Sequence, residues 1–111
     1  MRTLLDSVMK EMKRSEHMET LLLKHHIQLC ITSGSESWYI VFDGQVPHFI
    51  SANEEACDVV IEGDDEALTQ LLRGEDFLLA MKRRGDLNVT GSLKYLLWIE
   101  SLFYLSNSNR R

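Results

Sequence analysis

One proline, two cysteines, six glycines and no long apolar run: the 111-residue chain is marked first by what it has little of. Two cysteines, Cys30 and Cys57, are too few for a disulfide framework and lack metal-ligand spacing. Each sits in an apolar run, as small buried thiols do in a reducing compartment. Twelve Lys and Arg against 17 Asp and Glu leave a net charge of -5, the wrong sign for a nucleic-acid or anionic-membrane binder. The one tight basic cluster, Lys82-Arg83-Arg84, reads as a helix end whose cations complement the dipole. Asp6, Lys10, Glu11, Lys13 and Arg14 interrupt the N-terminal segment, so it holds no signal-peptide apolar region and a cytoplasmic location is expected.

Chemistry is equally scarce. No Ser/His/Asp or Cys/His arrangement and no phosphate-cradling loop is visible, so a non-enzyme without a cofactor is expected. The adjacent His25 and His26 point in different directions on either helix or strand and cannot chelate one metal, and His48 stands alone. The acids Asp64, Asp65 and Glu66 are what capping and dipole effects place at a helix start. Arg84-Gly85-Asp86 and Asn88-Val89-Thr90 match adhesion and glycosylation patterns that need an extracellular setting, and are read as chance.

What is present is periodicity. Leu5, Val8, Met9 and Met12 recur at helical spacing and Met18, Leu21 and Leu22 resume it, so 3–24 is one long helix or two short ones. Ile27, Leu29 and Ile31 then alternate with polar neighbours, a strand ending at Gly34. Trp38 to Phe42 forms a second strand, and Asp43-Gly44-Gln45 turns it back into a third. Pro47 cannot donate to a ladder and sends that third strand to a sheet edge. A polar loop over 51–56 leads to a fourth strand, Cys57 to Glu62. Two helices follow, one capped by Asp64 and Asp65 and stopped at Gly74, the other from Asp76 to Gly85. Leu87 and Val89 mark a short fifth strand, and Ser92 caps a final helix that frays from Asn107.

The residues thus predict one α+β domain over 1–111, with an N-terminal helical segment (1–25) and a polar tail (106–111). The order α-β3-β-α-α-β-α gives a five-stranded, mostly antiparallel sheet covered by helices. The feature that stands out is Leu93–Leu105, where ten of 13 residues are apolar or aromatic. It falls short of the about 20 residues that span a bilayer, so no stable membrane insertion is expected. Its apolar surface is wider than one stripe needs, and large side chains left in water would each forgo ~1.5–3 kcal/mol. A buried central helix, a homodimer seam and the wall of an apolar cavity all satisfy it.

The segment "GDDEALTQLLRGEDFLLAMKRRGDLNVTGSLKYLLWIESLF" resembles the C-terminal half of the sterol carrier protein type 2 family. The matching pieces are Leu72…Gly74, then Gly85-Asp86-Leu87-Asn88-Val89-Thr90-Gly91, then Leu102-Phe103. Trp38–Gly44 and Cys57–Gly63 resemble that family's second and fourth strands, so the likeness spans about 27–105. The resemblance implies helices on one face of the sheet and an apolar tunnel between the two layers. It implies a carrier rather than a catalyst, with a fatty acid, acyl-CoA or sterol-like molecule as partner. The expected wall is Phe77, Leu78, Met81, Leu97, Trp98, Leu102 and Phe103. The chain ends "SNSNRR" without a peroxisomal tripeptide, so a bacterial-type stand-alone member is expected. The same family also supplies accessory or dimerising pieces of enzymes. A homodimer joined through Trp98 and Tyr104, with no lipid ligand, is therefore the second reading.

Overall fold

The computed structural model describes residues 1–14, 16–51 and 57–108. In chain order the elements are α1 (Arg2–Arg14), α2 (Glu16–Leu22), β1 (Ile27–Ser33), β2 (Glu36–Phe42) and β3 (His48–Ile50). They continue with β4 (Val59–Glu62), α3 (Asp65–Leu72), α4 (Leu78–Arg84), β5 (Asn88–Thr90) and α5 (Leu93–Ser108). Helix is described on both sides of Ser15, the expected interruption, which itself lies outside the described residues. Most of the polar loop expected over 51–56 also lies outside them.

The five strands make one sheet in the order β3-β2-β1-β4-β5. All neighbours are antiparallel except β1 and β4, which run parallel. Ser33 pairs with Glu36, so β1 and β2 are joined by a two-residue turn. Gly34 takes φ 60 there, which is cheap only without a side chain. β3 is shorter than the expected strand, begins just after Pro47 and sits at the sheet edge. There the missing proline N–H costs no ladder bond.

Register sorts the side chains by face. Ile27, Leu29 and Ile31 lie opposite Phe42, Ile40 and Trp38, and Val59, Ile61 and Val89 continue the same row across β4 and β5. All nine are buried against the helices. Each helix contributes an apolar face to the same core: Leu5, Val8, Met9 and Met12 from α1, and Ala67, Leu68, Leu71 and Leu72 from α3. α5 packs on α1, α2, α3 and α4, and so stands at the centre of the helical layer.

The helix ends show which local signals survived. Asp64 caps α3 as expected, its Oδ1 accepting from the Ala67 N–H at 2.7 Å. α4 starts later than its pattern suggests. Phe77 occupies the N-cap without a side-chain bond, and the Leu79 N–H donates instead to Glu100 Oε1 of α5 at 3.1 Å. Gly85 closes α4 in the left-handed region at φ 83, with the Asp86 N–H donating to the Met81 carbonyl at 2.9 Å. α5 runs on to Ser108 rather than fraying at Asn107. Ser106 is buried and donates to the Phe103 carbonyl. Asn107 Nδ2 donates to the Leu72 carbonyl at 2.6 Å and ties the end of α5 to the end of α3. Residues expected in a polar tail thus include a buried serine and an asparagine that ties α5 to α3.

Candidate functional site

The interior between sheet and helices is built around α5. At 100° per residue, Trp98, Leu102, Ser106, Ile99, Phe103 and Leu96 fall on one broad arc, and all six are buried. The opposite arc carries Leu93, Lys94, Leu97, Ser101, Tyr104 and Leu105, all exposed. The width of the buried arc follows from the neighbours of α5, because the sheet lies to one side and α1 and α2 to another. The surplus apolar surface read from the sequence is thus divided between these two arcs.

Trp98 is fixed from three directions. Its Nε1 donates to the Leu21 carbonyl at 2.7 Å, at the end of α2. Phe42 of β2 meets its ring edge-on at a centroid distance of 5.3 Å, and His25 does so at 5.2 Å. His25 is half-buried and also stands edge-on to Tyr95. The seam through Trp98 expected for a homodimer is incompatible with this placement, since only 4% of the residue reaches the surface.

Of the seven expected wall residues, five come together in this interior: Leu78, Met81, Trp98, Leu102 and Phe103. The other two do not line it. Leu97 is 45% exposed because it falls on the outward arc of α5, and Phe77 is 48% exposed because it precedes α4 rather than lying within it. Phe77 rests instead against Tyr104, ring centroids 5.4 Å apart. Met9, Met12 and Met18 of α1 and α2 join the buried five, and the sequence reading did not include them. Their helical spacing was legible; their closeness to α5 was not, because it depends on how the N-terminal helices fold back.

Among the described residues the core is apolar except for Ser106, and every buried side-chain N or O has a hydrogen-bond partner. The interior is thus lined by apolar side chains, and its one buried hydroxyl among the described residues, Ser106, is bonded to the Phe103 carbonyl. Polar groups gather outside. Three clefts lined by described residues open at the surface, of about 330, 410 and 520 Å³, and the last is framed by the start of α1, the β1–β2 turn with Trp38, and Asp65 of α3. Among the described residues no cluster of His, Cys, Asp and Glu suits a metal ion. Arg84 bonds both Asp76 and Asp86, and its guanidinium holds the Asp76 carboxyl below the usual carboxylate range.

Fold and interior together define a single-sheet α+β domain with an apolar inside. The model of the SCP-2 sterol transfer family matches residues 5–104, and the chain belongs to that family. None of the curated proteins matches it by sequence. Among solved structures, a protein described as a UbiJ-SCP2 ubiquinone synthesis protein is similar with a TM-score of 0.73 at 20% identity. That match covers 89% of this chain and 84% of the other. A sterol carrier protein 2 crystal structure gives 0.65 at 17%, covering 95% and 94%. The inverting sec-alkylsulfatase Pisa1 from Pseudomonas sp. gives 0.62 at 18%, covering 76% of this chain but 14% of the enzyme. At these identities the likeness is one of fold, and the last shows the fold as a small part of a larger chain.

Proposed function

We propose that the protein is a non-catalytic cytoplasmic carrier that holds an apolar small molecule, a fatty acyl or sterol-like compound, between its sheet and its helices. The observation that carries this reading is the interior itself, apolar and uncharged across β1, β2, β4 and all five helices. Membership of a sterol transfer family supports it. Leu78, Met81, Trp98, Leu102 and Phe103 form the wall nearest α4 and α5. Met9, Met12 and Met18 face them from the N-terminal helices, and unbranched, polarizable methionine re-packs around varied shapes at low cost. Each methylene transferred into such a site contributes ~0.8 kcal/mol, so chain length rather than a polar anchor sets affinity.

Native mass spectrometry of the protein purified from cells tests this directly, and a fatty-acid or similar apolar adduct is expected. In parallel, Trp38→Phe leaves Trp98 as the one remaining tryptophan, and its emission should change on titration with long-chain fatty acids. Repeated absence of an adduct, together with an unchanged Trp98 signal, refutes the carrier. The accessory-domain alternative predicts a dimer in sedimentation velocity that buries Leu93, Leu97 and Tyr104 of α5, with no bound lipid.

A further inference from the structure

The sheet face turned away from the helices carries its own chemistry. By alternation it presents Gln28, Cys30 and Thr32 of β1, Ser37 and Tyr39 of β2, and Val60 and Glu62 of β4. Cys30 and Tyr39 are register partners there and both are buried. The cleft of about 330 Å³ opens on this face, lined by Cys30, Thr32, Ser37, Cys57, Val60 and Glu62. Both cysteines of the chain therefore share one wall, although 27 positions separate them in sequence. Gln28 Nε2 donates to Cys57 Sγ at 3.6 Å, which sets the second sulfur over the same row of β1 that holds Cys30. Cys30 Sγ lies 3.6 Å from Thr32 Oγ1 in the same cleft. Burial pushes the Cys57 thiol above its ordinary range; the Gln28 bond opposes this, and the adjacent Cys30 thiol adds to it. Neither cysteine is disulfide-bonded.

We propose that Cys30 and Cys57 are a redox pair that a hydroperoxide closes into an intramolecular disulfide across the outer face of the sheet. The half-buried Cys57 meets the oxidant first. Its thiolate attacks one peroxide oxygen, the O–O bond breaks, and a sulfenic acid forms as hydroxide leaves and takes up the thiol proton as water. The Cys30 sulfur then attacks the Cys57 sulfur, the S–O bond breaks, and a second water leaves with the Cys30 proton. Two thiols and one hydrogen peroxide become one disulfide and two waters. The bond ties central strand β1 to the segment entering β4, independently of any ligand in the interior. A raised thiol pKa leaves little thiolate near neutrality, so closure is slow there and accelerates as pH rises.

The experiment treats the full-length protein with hydrogen peroxide at neutral and alkaline pH. Alkylation under denaturing conditions, intact-mass measurement and a peptide map follow. Two alkylatable thiols before treatment and none after, the loss of two hydrogens, a linked Cys30–Cys57 peptide and full recovery with dithiothreitol are expected. Cys57→Ser should yield no intramolecular bond. The proposal is overturned if the native chain keeps both thiols alkylatable, oxidises them only to sulfinic or sulfonic acids, or links separate chains instead. These readings come from the unaltered protein and stand even where the variant fails to fold.

Discussion

Trp98→Phe and Leu97→Ala, neighbours in sequence, separate the two arcs of α5. Trp98→Phe removes the donor to the Leu21 carbonyl and the outer part of a buried ring. That carbonyl also accepts from the Lys24 N–H at 3.2 Å, so it is not orphaned. The lost hydrogen bond then costs about 1 kcal/mol rather than the full penalty of a buried unsatisfied group. The smaller ring leaves a gap against Phe42 and His25, and transfer and cavity terms together add about 1–2 kcal/mol. Trp98→Phe should therefore destabilise by ~2–3 kcal/mol. Leu97→Ala removes a side chain already nearly half in water, and falls within about 0.5 kcal/mol of the parent. Urea unfolding of both variants at neutral pH, with unchanged denaturant dependence, measures the difference. If Leu97→Ala costs as much as Trp98→Phe, the assignment of the two faces is wrong and Leu97 belongs to an interior or an interface.

Two further outcomes test the joints around this helix. Glu100→Ala should cost about 1–2 kcal/mol and accelerate hydrogen exchange at the Leu79 amide, because the first turn of α4 loses its acceptor, while Glu100→Gln should lose less. Asp76 titrates below the ordinary carboxylate range because Arg84, and then the Phe77 N–H, bond its ionised form. Its folded pKa lies below its unfolded one, so its contribution is complete above about pH 4 and is lost as pH falls through the folded value. Asp76→Asn should flatten the acid limb of the stability curve; the pair is open to solvent, so the change is small, and an unaltered limb would remove Asp76 from the account.

Local signals proved sufficient wherever one residue or one period does the work. The alternation of Ile27, Leu29 and Ile31, the cap at Asp64, the left-handed stop at Gly85 and the edge position forced by Pro47 were all legible, because each depends on the chain within a few residues. The start of α4 was not. Its N-terminal amide is satisfied by Glu100, 21 residues away, and no local pattern announces that partner. The same holds for the end of α5, where Asn107 reads as tail until the Leu72 carbonyl stands beside it.

The functional residues divide along the same line. Composition and spacing set by themselves an acidic α+β domain with a greasy last helix too short for a membrane, and the order of the pieces over 27–105 gave the family. Which residues of that helix face inward was settled only by tertiary packing. Leu97 and Trp98 are adjacent and equally apolar, and no propensity distinguishes them. What separates them is that the sheet and the N-terminal helices close over Trp98, while Leu97 on the outward arc stays 45% exposed. The meeting of Cys30 and Cys57 has the same origin: strands far apart in sequence become neighbours when β4 pairs in parallel with β1, and only that pairing brings the two sulfurs to one cleft.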